Sequence, residues 1–403
     1  MYIILYNIST SFIAFLLPFV GLFSPKVKQF ISARAKINIP TKGDVIYWIH
    51  CASLGEYEMG LPLIHELLKS HSLNDVIITF FSPSGYEQVK NGPYASRVMY
   101  LPIDTPKNVN EFYTNYNPAK ALFIRYDLWY NFIRFGMKKG TQFYLVNGRF
   151  QPNHFIFGLF GKSYLKLVGK FEHLFTSDKT SCELLKKINK NCVFVGDTRY
   201  DRVTDISKTA KEYPNIDRFK GVRKLLIVGS SWEKEEALTK KLLDTNPNNL
   251  AVIIAPHDIQ RTDQILEIFK SYSPKRYTHS DFDEKTSVIV LDTIGMLSSL
   301  YRYADFSLIG GGFHGALHNI IEPAVWGSHI SFGPEIQKFA EAHDAIEHGF
   351  GFAITHEDRW IQMINDLIQD TQKLLEVKGK SRKFVANQRQ ATRKITGYIL
   401  TKN

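Results

Sequence analysis

The chain has 403 residues, enough for two domains of ordinary size, and its 44% hydrophobic and 22% charged residues exclude a disordered or low-complexity protein. The net charge of +11 favours an anionic partner, such as nucleic acid, a membrane face or a phosphorylated substrate. Cys51, Cys182 and Cys192 form no CxxC pair, which indicates reducing surroundings and argues against a zinc ribbon or a disulfide scaffold.

The first predicted element is a hydrophobic helix at residues 1–25, which contain no charged residue. About 20 apolar residues can cross a bilayer, so the segment is interpreted as an uncleaved membrane-anchoring or interfacial helix. A core helix and a signal peptide are alternatives, although a signal peptide normally has a basic start and this one is neutral. Five cations follow before the first acid, Asp44, so the positive-inside rule predicts a cytoplasmic body.

Strands and helices then alternate, which predicts an α/β fold with parallel sheets covered by helices. A first Rossmann-like domain is predicted over residues 26–205, a polar linker containing Pro214 over 206–223, a second Rossmann-like domain over 224–375 and a basic C-terminal helix over 376–403. The two doubly wound domains are expected to face each other across a cleft, with ligands beyond the carboxyl ends of the strands. The predicted strands are Val45–Ile49, Val76–Phe81, Arg97–Leu101, Ala121–Ile124, Phe143–Val146, Cys192–Val195, Lys224–Val228, Ala251–Ile254, Ser287–Leu291, Phe306–Ile309 and His329–Phe332.

The first motif that carries chemistry is the run from His50 to Glu56, directly after a predicted strand. Gly55 allows a sharp turn, and Glu56 then lies at or near the start of a helix predicted from about Gly55 to Ser70. A carboxylate at that place can act as a general base on a hydroxyl. Its favourable position beside the helix dipole is an equally simple explanation for the residue.

The most informative stretch follows the strand that ends at Ile309. Three glycines close the strand, and a new helix is predicted to begin near His318 or Asn319, with Glu322 in its first turn and Gly327 at its end. Glycines let the backbone approach a ligand, and a helix start offers free N–H groups to a phosphate. Glu322 can accept hydrogen bonds from ribose hydroxyls, so the sequence predicts a nucleotide site.

Three further segments end strands or begin helices. The Gly229–Glu236 run could hold an anion or simply form a capped helix start. Pro256 and His257 place backbone and an imidazole at a strand end, where a histidine is often structural. The backbone of Ile294, Gly295 and Met296 can lie against a flat base, or it can be part of a plain cap.

His314 and His318 have the i, i+4 spacing of half a metalloprotease site. Gly315 stands where the catalytic glutamate would follow, and the segment is a glycine-rich loop, so a zinc site is rejected.

Together these motifs resemble the 3-deoxy-D-manno-octulosonic acid (Kdo) transferases of Gram-negative lipid A assembly, in a Bacteroidetes-like form. The resemblance extends over essentially the whole chain and rests on several short elements that occur in the family's order. These are the hydrophobic start, Ser53–Glu56, Asn147–Arg149, Gly196–Asp201, Ser230–Glu236, Asp292–Gly295, His318–Pro323 and Gly333–Pro334.

The resemblance implies a two-domain GT-B glycosyltransferase that inverts the anomeric centre without a metal ion or other cofactor. The N-terminal domain would take the acceptor, a lipid A precursor (lipid IVA), and the C-terminal domain would bind the donor, CMP-Kdo. Glu56 matches the family's general base. The matched donor-binding positions are Pro256, His257, Ile294, Gly295, Met296, Asn319, Ile320, Ile321 and Glu322. The expected location is the cytoplasmic face of the inner membrane, with its anionic surface as a partner.

Two departures from the family pattern stand out. Many members carry arginine before the histidine matched by His257, where this chain has Pro256. Members also often show an ETELWP segment, where this chain has RYDLWY, so that Arg125 replaces the first acid and Asp127 keeps a carboxylate.

The sequence therefore predicts a membrane-associated Kdo transferase that does not bind nucleic acid. One alternative is another GT-B glycosyltransferase, or a sugar-nucleotide epimerase, with a UDP-linked donor. A non-enzyme alternative is a basic membrane or nucleic-acid binding module, which would give the glycine loop no role and would need basic clusters interleaved with aromatics.

Overall fold

The computed structural model describes residues 2–35, 40–158, 161–246, 248–279 and 282–401. The chain divides into two compact units. The first comprises Met1–Arg202 together with Arg389–Asn403, and the second comprises Val203–Gln388.

The first unit is a parallel sheet covered by helices on both faces. Its strands are β1 (Tyr47–Cys51), β2 (Val76–Phe80), β3 (Val98–Tyr100), β4 (Lys120–Ile124), β5 (Gln142–Gly148), β6 (His173–Thr176) and β7 (Cys192–Phe194). Its helices are α1 (Tyr2–Phe23), α2 (Pro25–Ala35), α3 (Leu54–Leu67), α4 (Pro83–Val89), α5 (Pro106–Tyr116), α6 (Tyr130–Lys139), α7 (Lys162–Val168), α8 (Lys179–Lys186) and the start of α9 (Thr198–Thr209), which continues into the second unit.

The strand order of this sheet is β3-β2-β1-β4-β5-β6-β7, and all neighbours are parallel. The central strands are apolar runs buried on both faces, which is typical of a parallel sheet between two helical layers. The order reverses between β1 and β4, and their carboxyl ends therefore flank a crevice where ligands bind in such sheets.

The second unit repeats this architecture. Its strands are β8 (Lys224–Ser231), β9 (Leu250–Pro256), β10 (Lys275–Arg276), β11 (Val288–Val290), β12 (Phe306–Ile309), β13 (His329–Phe332) and β14 (Gly351–Ala353). Its helices are α10 (Pro214–Lys220), α11 (Glu233–Thr245), α12 (Thr262–Ile268), α13 (Leu297–Leu300), α14 (Ile321–Trp326), α15 (Ala340–Glu347), α16 (Glu357–Gln369) and α17 (Thr371–Gln388). The order is β10-β11-β9-β8-β12-β13-β14, so the reversal lies between β8 and β12.

These two sheets confirm the predicted α/β class with two Rossmann-like doubly wound units and an N-terminal hydrophobic helix. All eleven predicted strands are present to within a few residues, whereas β6, β10 and β14 were not predicted. Residues 206–223, predicted as a linker, hold the end of α9 and the helix α10, in which Pro214 takes the first helical position.

The N-terminal helix α1 contains no acidic or basic residue in its first or last turn, and its length and hydropathy are sufficient to cross a bilayer. A signal sequence or a buried core helix would meet the same two criteria. Among the described residues no other helix meets them.

The last helix, α18 (Ala391–Leu400), returns to the first unit. Ile395 and Ile399 are fully buried in the core on the α3 side of the first sheet. The Asp201 carboxylate accepts hydrogen bonds from the backbone N–H groups of Gln390 (2.6 Å) and Thr392 (2.7 Å) at the start of α18. A side chain from the Gly196–Asp201 motif therefore caps the helix that closes this core.

We expect Asp201→Ala to loosen α18 by about 0.5–2 kcal/mol, because two N–H groups at the helix start lose their acceptor. Hydrogen exchange measured by mass spectrometry should show faster exchange of peptides from residues 391–400. Asp205→Ala is the matched control, since Asp205 lies on the same helix but pairs with Lys208 at the surface. Equal protection of α18 in the two variants would contradict the assigned cap.

Candidate active site and nucleotide site

Glu56 lies in the first turn of α3, immediately after the carboxyl end of β1. Its Oε2 atom accepts a hydrogen bond from the backbone N–H of Ala52, in the loop that joins the strand to the helix. Ser53 precedes the helix with extended backbone angles and makes no side-chain capping bond. Glu56, rather than Ser53, therefore accepts a backbone hydrogen bond at the helix start. It lies at the point where the strand order of the first sheet reverses.

A chain of hydrogen bonds lies beside Glu56. Trp48 Nε1 donates to Thr79 Oγ1 (2.8 Å), and Thr79 Oγ1 lies 2.8 Å from His50 Nδ1. His50 Nε2 lies 2.9 Å from Asp127 Oδ2, which also accepts from Trp129 Nε1 (3.0 Å). The arrangement that uses every donor has the Thr79 hydroxyl donating to Nδ1 and the Nε2–H donating to Asp127. The fully buried His50 thus fixes the Asp127 carboxylate at the end of β4.

The pKa of Glu56 is raised from 4.5 to about 7, chiefly because burial disfavours the charged carboxylate. The Ala52 N–H opposes this increase, the nearby Asp127 carboxylate adds to it, and His50 and Arg125 oppose it. A carboxyl group that titrates near neutral pH can accept a proton from a hydroxyl and later release it, which a carboxylate with an ordinary pKa does poorly.

Two other residues at this edge adopt left-handed backbone conformations, which are uncommon for residues other than glycine. Arg125 has φ 67° and Asn147 has φ 52°, and they follow or end the neighbouring strands β4 and β5. Asn147 Nδ2 donates to Thr198 Oγ1 (2.7 Å), whose hydroxyl donates to the carbonyl of Met59 in α3 (2.6 Å). These bonds fix α3, and with it Glu56, against the carboxyl edge of the sheet.

In the second unit the glycine loop follows β12 at the reversal point of its sheet. A Cβ atom on Gly310 would lie 1.9 Å from the carbonyl oxygen of Ser230, and Gly311 has φ 84°. The Gly311 N–H donates to Glu235 Oε1 (3.1 Å), which belongs to a fully buried residue at the start of α11. Only glycine fits this path, which brings the loop after β12 against the loop after β8.

The segment after the glycine loop differs from the prediction in its helix boundary, since α14 begins at Ile321 rather than near His318 or Asn319. The reason is that Asn319 Oδ1 accepts from the Ile321 N–H (2.9 Å) and so caps the helix from outside. Glu322 lies in the first turn and accepts from Asn319 Nδ2 (3.1 Å), and Gly327 ends the helix with φ 84°, both as predicted. The side chains of Ile320 and Ile321 are buried in the core, which leaves only their backbone for a ligand.

A cavity of about 790 Å³ lies at the carboxyl ends of β8, β9 and β11. Four predicted donor-side residues line it, namely Pro256, His257, Ile294 and Gly295, and Met296 follows directly along the chain. The Ile294 side chain is 88% exposed and offers an apolar surface on which a flat ring could lie. His318, which precedes Asn319, lies next to this cavity, since its ring centroid is 5.0 Å from that of His257.

Trp232 and Arg261 also line this cavity and were not predicted as site residues. The indole of Trp232 stacks on His257 with ring centroids 4.3 Å apart. Arg261 makes a bidentate pair with the fully buried Glu236 (2.9 Å for both bonds). Trp232 belongs to a motif that the sequence had singled out, whereas no local pattern marks Arg261, which reaches the cavity from the turn before α12.

Comparison with known proteins gives a consistent result. Residues 27–202 match the family described as 3-deoxy-D-manno-octulosonic-acid transferase (kdotransferase). The chain is 26% identical to a protein of that name from Chlamydophila psittaci over 77% of this chain and 74% of the relative. It is also 26% identical to one from Aquifex aeolicus, over 84% of this chain and 90% of the relative.

A bifunctional glycosyltransferase/methyltransferase from Fusobacterium nucleatum is likewise 26% identical, over 85% of this chain. The aligned region spans 56% of that relative's length, so the likeness concerns part of a longer protein.

Among solved structures, the UDP-GlcNAc 2-epimerase of Neisseria meningitidis matches 89% of this chain with a TM-score of 0.61 and 12% identity. A putative UDP-N-acetylglucosamine 2-epimerase of Listeria monocytogenes matches 89% with a TM-score of 0.59 and 12% identity. At such low identity the likeness concerns the fold alone, and it agrees with the predicted GT-B class of two Rossmann-like units.

Proposed function

We propose that this chain, whose residues 27–202 match the 3-deoxy-D-manno-octulosonic acid (Kdo) transferase family of glycosyltransferases, transfers Kdo from CMP-Kdo to a lipid A precursor in lipopolysaccharide core assembly. The acceptor we propose is lipid IVA, presented at the cytoplasmic face of the inner membrane. The transfer inverts the anomeric centre and needs no metal ion. This assignment is preferred to a UDP-linked transferase or epimerase, whose likeness to this chain extends only to the fold.

The observation that supports the proposed mechanism best is the environment of Glu56. The carboxylate removes the proton from the acceptor hydroxyl while the hydroxyl oxygen attacks the anomeric carbon of Kdo and the bond to the CMP phosphate breaks. A base with a pKa near 7 is matched to this step, because about half of it is ionised at neutral pH and the carboxylate is still basic enough to take the proton. Such a base contributes roughly 10²–10⁴-fold in rate.

On the donor side, the proposed CMP-binding site combines the cavity at the carboxyl ends of β8, β9 and β11 with the loop that precedes α14. The cytosine lies against Ile294, Gly295 and Met296, and the ribose hydroxyls bond to Glu322. The backbone at Asn319–Ile321 and the loop at Pro256–His257 contact the phosphate. Stabilising the departing monophosphate, where negative charge develops, lowers the barrier for transfer.

The membrane surface enters this proposal through the acceptor. A lipid A precursor is anionic and lies in a bilayer, which agrees with the net charge of +11 and with the apolar helix α1. A nucleic-acid partner is not part of the proposal.

The test of the assignment is incubation of the purified full chain with CMP-Kdo and lipid IVA, followed by mass spectrometry of the lipid. A mass increase of one or more Kdo residues is expected. Calorimetric binding of CMP, UMP and UDP distinguishes the alternatives, since a preference for UMP or UDP over CMP would contradict the proposed donor.

We expect Glu56→Gln to reduce transfer by about 10²-fold or more while leaving CMP affinity nearly unchanged, because the amide cannot accept the proton but the CMP-binding site is intact. Glu58→Gln is the matched control, since Glu58 lies on the same helix and pairs with Arg202. Transfer at the wild-type rate by Glu56→Gln would rule out this residue as the base.

The pH dependence of kcat/KM should report the titration of Glu56. Since the carboxylate is the active form, kcat/KM is expected to rise with pH through an inflection at about pH 7 and to level off at higher pH. Asp127→Asn removes a charge that raises the pKa of Glu56, so its inflection should move to lower pH. Arg125→Gln removes a charge that lowers this pKa, so its inflection should move to higher pH. Shifts in the same direction for both variants would contradict the electrostatic account.

Glu322→Gln is expected to weaken CMP binding about ten-fold or more, because a charge-assisted hydrogen bond to the ribose becomes a neutral one. Calorimetry with CMP measures this directly. Glu347→Gln, an exposed position at the end of α15, should bind CMP like the wild type. An unchanged CMP affinity of the Glu322 variant would show that this residue is not part of the CMP-binding site.

A further inference from the structure

Helices α1 and α2 form a helical hairpin with its tip at Ser24. Gly21, buried near the end of α1, lies against the returning helix, since a Cβ atom there would be 3.0 Å from Ile31 Cδ1 and 3.6 Å from Lys28 Cα. In a straight helix residues 21 and 28 would be separated by about 10 Å along the axis. The chain therefore folds back on itself after α1.

The beginning of α1 is attached to the first unit. The Tyr6 hydroxyl donates to Asp104 Oδ2 (2.7 Å), and the fully buried Asp104 carboxylate also accepts from the backbone N–H groups of Asn131 (2.9 Å) and Phe132 (3.0 Å). The Tyr2 ring packs edge-on against Tyr130, with centroids 5.2 Å apart. Removing the first turns of α1 from the unit would take away one partner of a buried carboxylate.

The end of α2 is attached to the same unit. The Arg34 guanidinium lies 4.6 Å from the centre of the Tyr100 ring, and it donates to the carbonyl oxygen of Phe81 (2.5 Å). A few residues later the carbonyl of Pro40 accepts from the hydroxyl of the buried Tyr116 (3.2 Å). Both ends of the hairpin therefore contact the body of the first unit.

The hairpin exposes many large apolar side chains, most of which lie between these two attachments. Phe15 is 66% exposed and Phe23 is 88% exposed, values far above those of core phenylalanines. The exposed large apolar side chains of α1 are Ile4, Leu5, Ile8, Phe12, Ile13, Phe15, Phe19, Val20, Leu22 and Phe23. A surface of this extent marks an interaction site, and its partner must be apolar.

The charges around the hairpin indicate a lipid partner. Residues 1–43 contain five cations and no acid, and Lys28 is exposed on α2. Cations that directly follow an apolar segment attract the anionic headgroups of a membrane surface, each by about 1 kcal/mol.

The hairpin is too short to cross a bilayer and return. With 22 residues α1 is about 33 Å long, enough for the hydrocarbon core of about 30 Å, but α2 has 11 residues and is about 16 Å long. Because Arg34 is attached to the body, the tip lies no more than about 15 Å along α2 from that attachment. This distance corresponds to one leaflet.

We propose that the α1–α2 hairpin is a monotopic membrane insert: its tip enters one leaflet of an anionic bilayer, and the start of α1 stays on the same side as the body of the protein. In this arrangement α1 is interfacial and does not span the bilayer. The two attachments and the apolar tip determine the arrangement, whichever sugar the protein transfers.

Topology is tested in oriented membrane vesicles. A cysteine-containing tag joined to Met1 reports the start of α1, and Lys285→Cys in the exposed turn before β11 reports the body; the native cysteines are all buried. A membrane-impermeant maleimide is expected to label both sites from the same face. Labelling of the two sites from opposite faces would show that α1 spans the membrane and would overturn the proposal.

Insertion is tested by flotation of the full chain with vesicles of phosphatidylethanolamine and phosphatidylglycerol in a 3:1 ratio. The double variant Phe15→Glu, Phe19→Glu is expected to bind at least ten-fold more weakly than the wild type, with an unchanged melting temperature since both side chains are exposed. Leu375→Glu, at an exposed apolar residue of the second unit, is the matched control and should bind like the wild type.

Two results would overturn insertion. One is undiminished flotation of the double variant. The other is a lipid-free dimer in sedimentation experiments that the double variant dissociates, with no vesicle binding by the wild type, since the apolar surface would then serve a second copy of the chain. Flotation and sedimentation are both independent of Kdo transfer. The membrane insert is therefore tested separately from the proposed activity.

Discussion

The reversal of strand order in each parallel sheet is the constraint on which the candidate sites depend. Connections from β1 and β4, or from β8 and β12, leave toward opposite faces of their sheet and leave a crevice between the carboxyl ends of the two strands. Glu56 follows β1, the Asp127 segment follows β4, and the glycine loop follows β12. Within each unit the backbone topology therefore brings together residues that lie far apart in the sequence, and local features such as caps and glycines then fix their positions.

The chemistry of the first unit arises from a balance between burial and charge. Burial is the main cause of the raised pKa of Glu56, and Asp127 adds to it. The hydrogen bond from Ala52, together with His50 and Arg125, opposes the increase, so that the pKa is about 7. His50 lies within the core of β1 and holds Asp127 at the end of β4. A residue of the hydrophobic core thus contributes to the electrostatics of the site, which couples the packing of the sheet to the proton-transfer step proposed for this enzyme.

Much of the fold could be predicted because the buried strands are runs of apolar residues and the helix ends follow local rules. Asn319, Glu322 and Gly327 illustrate such rules, although the start of α14 was placed too early because a cap lies outside the helix it caps. The edge strand β10 consists of two charged residues, and β6 begins with histidine, so neither shows the expected pattern. The partners His50 and Asp127 are 77 positions apart and meet only through strand pairing, which periodicity cannot reveal.

The return of α18 to the first unit affects how the protein folds during its synthesis on the ribosome. The core on the α3 side needs Ile395 and Ile399, which are synthesised only after the whole second unit has been made. At about 5–20 residues per second the nascent first unit waits on the order of ten seconds or more with an apolar groove uncovered. Until α18 has been synthesised, that groove offers apolar surface to chaperones, and a chain truncated before α18 has an N-terminal unit whose core is incomplete.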